Sequence, residues 1–593
     1  MDALGKLSHM GIAKEVDFGT AVAAVDYVKF SSESLSLKID ELIDASIQAG
    51  QDEPPSYEGL GTVAGSTVHE VHPIALGHFM RSWFGQPAST AQISFTVSAT
   101  NKYIDFNIGA AELVATLATG TYEAGATEAD AGTLCHIIHD AIVAAEAVGS
   151  YTVTYSTVTN KFTITRTAGA LSILWKTGTH GSDGLHTHVG SLIGFGDTDS
   201  TGGLTYTSAT AVPGVYQHVF TPVTHIVPSA RKGTATAGGT TSLTLGTASW
   251  TTNQWSGWWL HILEGTSAGT YRIITSNTAT VLTVATMVAP STDSVFEIIP
   301  GPENSVLPSY TMEVHRDIPG STSAFQYSGL VANTLAFSMG VSAKILTLTA
   351  GWLGKDVTNI AKTSVTHATT EPFKWSQVKI GIGVNTSGTA TGGTISTLVD
   401  TGKTFVADAL IGKLIIKINA AGTKSEVRPI TDNDATSVTV SPAFVDIAIA
   451  TDTYEIYDCP DTVESLEFTL DNGLVALPTV NYTKRISRIV GDSFRTGSMT
   501  MTVIPQSITD YATYYSGWTS KKMLVWFKGQ AISDTNYYDL AFLFPKVLIT
   551  AYPANVGGGG RITVAIAAKL KYDSTATYLV KGLLNNTRAA YSA

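Results

Sequence analysis

Side chains able to do chemistry are sparse in this sequence: 14 histidines and 2 cysteines among 593 residues. Histidine crowds in two places. HEVHPIALGH carries His69, His72 and His78, but the second histidine follows the first by three positions rather than four. That spacing is not the H-E-x-x-H of a helical zinc site, and the expected role is polar positions at a strand end. THGSDGLHTH carries His180, Asp183, His186 and His188. Two histidines at i and i+2 of a strand point to one side, and a Gly-rich loop can bring a third ligand. These four are the candidate transition-metal ligands. The competing reading is a solvated surface loop, and no resident metal or cofactor is expected.

Cys135, His136 and His139 suggest a thiol–imidazole pair. On a helix, however, Cys135 sits beside Leu134 and Ile138, where a small buried cysteine is the ordinary outcome. Asp197 and Asp199 in GFGDTDSTGG make an acidic turn with too few oxygens for a calcium cage. Gly557 to Gly560 follows a strand but meets no helix, so it is not a phosphate cradle. No G-x-S-x-G, P-loop or dinucleotide motif occurs, and the expectation is a non-enzyme.

The scaffold that would hold these residues reads as mainly β. Thr is roughly one residue in seven and Gly numbers 55, while charged residues are only 14%, against roughly 25% in average proteins. β-Branched Thr loses rotamer freedom in a helix and sits well on a pleated surface. Short alternating runs such as YTVTYSTVTNKFTITRT (151–167) read as antiparallel strands, with a hairpin tip at 159–161. Three helices are expected: one starting at Pro73 with Ile74, Leu76, Phe79, Met80 and Trp83 on one face, one over 128–147 and one over 508–518. Net charge is −12, which disfavours a grip on nucleic acid phosphates. Two cysteines build no disulfide framework. No apolar run approaches the roughly 18 residues of a membrane span, so a soluble product of the cytoplasm is expected.

Two internal repeats organise the chain. GTATAGGTTSLTL, GWWLHILEGTSAGT and ITSNTATVLTV recur as GTATGGTISTL, GKLIIKINAAGT and ITDNDATSVTV. Gly233 to Gly388 and Gly257 to Gly412 are 155 apart, and Asn277 to Asn433 is 156 apart. These are two copies of one small β module. The second repeat matches Gly65, Ser66, Val71 and Pro73 to Gly497, Ser498, Val503 and Pro505, all 432 apart. Each copy is a strand closed by Pro and followed by an aromatic helix.

At GIAKEVDFGTAVAAVDYVKFSSESLSLKID (11–40), GTVAGSTVHEVHPIALGHFMRSWFG (61–85), PSYTMEVHRD (308–317) and SGLVANTLAFSMGVSAKILTLTAGWLGKD (328–356) the sequence resembles the tail tube proteins of long-tailed bacteriophages. RISRIVGDSFRTGSMTMTVIPQSITDYATYYSGW and the closing YLVKGLLNNTRAAY are similar too, so about half of the chain carries the likeness. It implies two tandem tail-tube β-sandwich domains, each with a flanking helix. The first would be 1–86 with 213–229 and 301–372, the second 373–382 with 459–593. An α+β insert at 87–212 and two repeated small β inserts at 230–300 and 383–458 complete the expected division.

The resemblance further implies self-assembly into stacked rings forming a hollow conduit for double-stranded DNA, within a virion assembled in the host cytoplasm. Six tube domains per ring would need three such chains, a homotrimer with pseudo-sixfold symmetry; six chains per ring is the less favoured option. Tape measure and tail-end proteins are the implied partners, with no membrane insertion. Residues 40–60 resemble the long loop that contacts the next ring, which assigns Asp40, Glu41, Asp44, Gln51, Asp52, Glu53 and Tyr57 to stacking. Glu33, Glu70 and Glu467, with Asp40 and Glu41, lie in tube-like strands where acids could face the lumen. The alternative is a receptor-binding or tail-fibre protein whose β modules bind carbohydrate; a cell-wall hydrolase lacks a credible carboxylate or metal constellation.

Overall fold

The structure is a computed structural model. It describes residues 7–591 except 16–17, 44–55, 92–93, 110, 125–126, 130–131, 148, 157–160, 182–186, 211, 213–214, 223–231, 251, 254, 257, 300–306, 318–322, 446–447, 479–483, 487, 506–514, 533–535, 555–560 and 589–590. The described residues are mainly β, in several separate sheets with two α-helices among them. Mainly β is what the Thr-rich alternation predicts. No described helix is long and apolar enough to cross a membrane.

Among the described residues the largest sheet has 18 strands, and fourteen of them fall into two sets of seven. The first set is β1 (His9–Lys14), β2 (Ser36–Ile43), β3 (Ser56–Glu70), β4 (Tyr310–His315), β5 (Ser323–Gly340), β6 (Thr347–Gly354) and β7 (Asp356–Ala361). The second is β8 (Val378–Ile382), β9 (Val463–Asp471), β10 (Thr496–Val503), β11 (Lys521–Ala531), β12 (Tyr537–Ala551), β13 (Val564–Leu570) and β14 (Lys581–Asn586). In the first lobe β1 pairs β4, β4 pairs β5, β5 pairs both β6 and β7, β6 pairs β3 and β3 pairs β2. In the second, β8 pairs β11, β11 pairs β12, β12 pairs both β13 and β14, β13 pairs β10 and β10 pairs β9. The two pairing schemes are identical, strand n matching strand n+7. The faint 432-residue repeat falls on β3 and β10, equivalent strands of the two lobes.

Helix α1 (Leu76–Phe84) is wholly buried and packs on β5. It begins three residues after Pro73, because 73–75 form a turn first. Helix α2 (Leu134–Glu146) is shorter than the expected 128–147 and buries Leu134, Cys135, Ile138 and Ile142. Most of the third expected helix, 508–518, lies outside the described residues, as does Gly557–Gly560. Tyr151–Ser156 pairs with Lys161–Arg166, so Lys161 is a strand residue rather than part of the hairpin tip.

The modules repeat at the level of single residues. Residues 232–299 and 384–457 each form a seven-stranded unit with the same strand order. Buried Asn277 accepts the Trp255 N–H at 2.7 Å, and buried Asn433 accepts the Leu410 N–H at 2.8 Å. Each Asn also donates to the carbonyl of the following residue, Thr278 or Asp434. A short polar side chain thus closes the same loop in both copies, meeting backbone groups that burial would otherwise orphan.

Among the described residues, the second module is seated on the body. Its outward strand face, Leu414, Ile416, Val427 and Tyr457, packs on Leu524, Trp526, Ala541, Leu543 and Leu583 of β11, β12 and β14. Charges line the margin of this seat. Arg428 lies 3.3 Å from Glu426 and 3.4 Å from Asp539, and Lys417 lies 3.1 Å from Glu426. Burial pushes the Asp539 carboxyl up to about 7, against the pull of Arg428 and Lys528 and a hydrogen bond with Asn585, while Glu426 adds to the rise.

Two measurements follow from this packing. The native state holds the Asp539 proton to about pH 7, whereas an unfolded Asp releases it near pH ~4. The native chain therefore binds more protons across that window, and this group's contribution to stability falls as pH rises from about 4 to 7. Denaturation midpoints taken over that range should show a smaller fall in Asp539→Asn than in wild type. Asn433→Ala, which orphans the Leu410 N–H, should cost about 1–3 kcal/mol, read as faster hydrogen exchange throughout 384–457.

Candidate assembly interface

The lobes are joined through strand edges. Along one edge, β5 is paired by the β6–β7 hairpin arm over its whole length. Along the other, its first half pairs β4 and its second half, Thr334 to Gly340, pairs Asp471 to Ser465 of β9. One strand of the first lobe therefore shares a sheet with β9 of the second lobe. The result is a continuous run, β2-β3-β6-β5-β9-β10-β13-β12, four strands from each lobe.

Register fixes which side chains share a face. On the core side, His69, Leu348, Phe337, Phe468, Met499 and Ala568 stand opposite one another across successive strands. Phe337 and Phe468 stack at 5.0 Å between centroids, and Phe542 lies 4.9 and 5.0 Å from the two rings. The joint is thus an aromatic core as well as a hydrogen-bonded ladder. A second contact reinforces it: the hairpin Leu474–Leu477 and Arg488–Gly491 brings Lys484 to Glu58 at 2.6 Å and Arg485 Nε to Asp356 at 2.8 Å. Beneath it Leu307, Val331, Ile486 and Ile489 form a small core. The C-terminal end is the third tie. Tyr591 is fully buried, donates to the Ile74 carbonyl at 2.7 Å and lies where any side chain on Gly77 would be.

The opposite face of the run carries Glu70, Thr347, Ser338, Glu467, Thr500 and Ala567 in one row. The next row is Val68, Thr349, Ala336, Thr469, Ser498 and Lys569. The face is therefore small and hydroxylated, with Glu70 and Glu467 exposed on it.

Two edges mirror the joint and are unpaired among the described residues. β2 is the counterpart of β9 and pairs only with β3. Residues 548–551 of β12, the counterpart of the segment of β5 that holds β9, pair on one side with β13 and carry no strand on the other. A chain thus ends in one donor edge and one acceptor edge of the kind already joined in its middle.

The sequence-derived candidates distribute unevenly over this geometry. Glu70 and Glu467 share the small-residue face, but Glu33 lies opposite Thr67, on the core side. There Arg316 grips it at 2.7 and 3.0 Å, so it is a structural ion pair. Asp40, Glu41 and Tyr57 lie in the exposed β2–β3 ribbon, together with exposed Ile39, Leu42 and Ile43. Residues 40–43 and 56–60 are strand rather than loop; Asp44, Gln51, Asp52 and Glu53 lie outside the described residues. Sequence alone gave no sign of the β5–β9 pairing, whose only hint is the matched Phe337 and Phe468.

Of the four metal candidates, the two described ones each have a partner of their own. His180 binds Asp105 through Nδ1 at 2.8 Å and stacks on Tyr103, whereas His188 is ion-paired to Asp197 at 3.1 Å. Asp183 and His186 lie outside the described residues. Asp199 accepts from the Lys176 and Thr177 N–H groups and the Thr177 hydroxyl, capping a turn. His69, His72 and His78 each have their own partner: the Lys29 carbonyl, the Thr370 carbonyl and Asp26. Burial pushes His69 down to about 4, so it is neutral and structural. Among the described residues no three His, Cys, Asp or Glu side chains form a metal-holding group.

No family model and no curated protein matches the chain.

The inter-lobe joint makes a direct prediction. Phe468→Ala opens a cavity between three rings and should cost about 3–5 kcal/mol. Hydrogen exchange should accelerate first in β5 and β9, while the module 384–457 keeps its protection.

Proposed function

We propose that this chain is the structural subunit of a tail tube of a long-tailed bacteriophage, polymerising through its strand edges into stacked rings. The observation that carries the reading is the head-to-tail joint inside the monomer. Lobe one accepts lobe two through β5 and β9, and the equivalent halves of that contact, 548–551 and β2, stand open at the two ends of the run. A contact that uses different surfaces on its two partners repeats until it closes a ring or extends as a helix. Exposed strand edges are an aggregation hazard unless a specific partner covers them, and the partner already built into the molecule is another lobe.

The resemblance supplies the closure number, six lobes and hence three chains. The Ser/Thr/Ala face suits the lumen of a conduit. It offers Glu70 and Glu467 beside the isolated lysines Lys38 and Lys569 rather than a cluster of Arg or Lys, so a passing polyanion meets no concentrated clamp. The β2–β3 ribbon extends past this sheet and is the stacking element, its exposed Ile39, Leu42, Ile43 and Tyr57 being covered by the next ring.

Electron microscopy of the purified protein tests the reading. Hollow tubes of uniform width are expected, with three chains per ring in cross-section. Deletion of 40–57 should leave rings of that size that no longer stack. Isolated monomers at assembly concentrations, or spikes, would overturn the proposal.

A further inference from the structure

We infer that Glu33 and Arg316 form a displaceable plug on the strand edge that receives a second copy of this chain. The plug holds single chains apart until a neighbour's 548–551 edge displaces it. The inference rests on the proposed ring and adds to it the control of that contact.

Register identifies the edge. In the joint inside the chain, Leu335 of β5 pairs Leu470 of β9, with Phe337 opposite Phe468 two residues on. Glu33 lies opposite Thr67 as Phe468 lies opposite Met499, and Thr67 and Met499 are 432 residues apart, the spacing of the lobe repeat. Glu33 therefore stands where Phe468 stands, and Leu35, just before β2, stands where Leu470 stands. On the other half of the contact, Ile549 faces Ala568 and Met499 as Leu335 faces Ala350 and Thr67. A second copy joined in the same way lays its Ile549 against Leu35.

No strand covers Leu35, yet its edge groups are already bonded. The Ser34 N–H donates to the Ser66 carbonyl at 2.9 Å, so the N–H and C=O of Leu35, next along the strand, point to the free edge. There the Leu35 N–H donates to Glu33 Oε2 at 3.0 Å, and its carbonyl accepts from Arg316 at 2.9 Å and from the Tyr327 hydroxyl at 2.8 Å. Arg316 in turn holds both Glu33 oxygens, at 2.7 and 3.0 Å, and lies over the Phe325 ring at 4.7 Å. Three side chains of the same lobe occupy the place of an incoming strand.

The lobe that is already joined has no such plug. Ala332 and Val547 are equivalent, because their partners Trp352 and Leu570 pair Gly65 and Gly497. Seven residues back from each, Phe325 pairs Val314 and Leu540 pairs Phe527. Two residues beyond those partners lie Arg316 and Gly529. Phe468 and Gly529 thus hold the places of Glu33 and Arg316, a ring and a bare backbone where the free edge has an ion pair. An inward-pointing charge is one way an edge strand resists pairing, since a strand laid on it must desolvate the charge or push it aside. The Arg316 side chain is 35% exposed and that of Glu33 11%, so the pair has solvent to move into.

The test follows full-length wild type, Arg316→Ala, Glu33→Gln and the double variant Glu33→Phe with Arg316→Gly, which copies the joined lobe. Sedimentation velocity and electron microscopy across a concentration series read the threshold for ring and tube formation. Arg316→Ala and the double variant should assemble at a concentration about tenfold lower than wild type, the worth of roughly one charge-assisted hydrogen bond. Glu33→Gln keeps the side-chain shape and should lower the threshold by less. In single chains below the threshold, Arg316→Ala should speed hydrogen exchange at the Leu35 amide while the Ser34 amide keeps its protection. Wild-type assembly with thresholds unchanged or raised in the variants overturns the inference and leaves the ring reading standing. Irregular aggregates in place of rings, or an unaltered Leu35 amide, overturn it equally. Absence of assembly in every chain overturns the ring reading and the inference with it.

Discussion

Backbone hydrogen bonds on strand edges govern this molecule. A strand satisfies one row of N–H and C=O groups with each neighbour, and a row left facing apolar surroundings costs free energy comparable to a lost hydrogen bond for every group. β5 meets that constraint by being long: 18 residues give it room for β4 and β9 end to end along one edge and for the β6–β7 arm along the other. Because β9 belongs to the second lobe, edge satisfaction and lobe joining are one event. The aromatic cluster of Phe337, Phe468 and Phe542 then makes that junction part of the core. The lobes consequently cannot separate without exposing both a ladder and a core.

Duplication explains the economy of the arrangement and where it has been relaxed. Equivalent strands keep their pairing, but the elements hung on them have diverged. The connector between β9 and β10 folds into a hairpin clamped on the first lobe by Arg485 and Lys484, whereas the β2–β3 ribbon reaches outward with apolar residues exposed. The module faces diverge in the same sense, one seated and one open. In each pair one copy is committed to contacts inside the chain and its twin is exposed among the described residues.

The sequence made much of the fold legible, for identifiable reasons. Module repeats were visible because buried asparagines and turn glycines tolerate few replacements, so Asn277 and Asn433 stay in register. The lobe repeat showed only at Gly-Ser and Val-x-Pro, where backbone geometry restricts the residue; elsewhere any apolar residue of fitting size fills the core, as Trp352 and Leu570 do. The β5–β9 joint was not legible, since strand partners carry no mutual signature beyond alternation. Faces were equally hidden. Glu33 and Glu70 look alike in sequence, yet Glu33 lies opposite Thr67, one residue out of phase with the outward Ser66 and Val68. That one-residue phase turns it from an outward acid into a partner of Arg316.

Charge illustrates how far composition can be pushed. A total of −12 does not say where the charges lie. The structure spends several of its few charged residues internally: Glu33 on Arg316, Glu426 between Lys417 and Arg428, Asp26 between His78 and Arg588. Paired this way, they fix loops and module seats rather than set the surface field, because the fields of adjacent opposite charges cancel beyond short range. The long sheet face carries hydroxyls, Glu70 and Glu467, and Lys569. Thr and Ser, which fit a pleated surface and carry no charge, fill six of the twelve positions in its two rows.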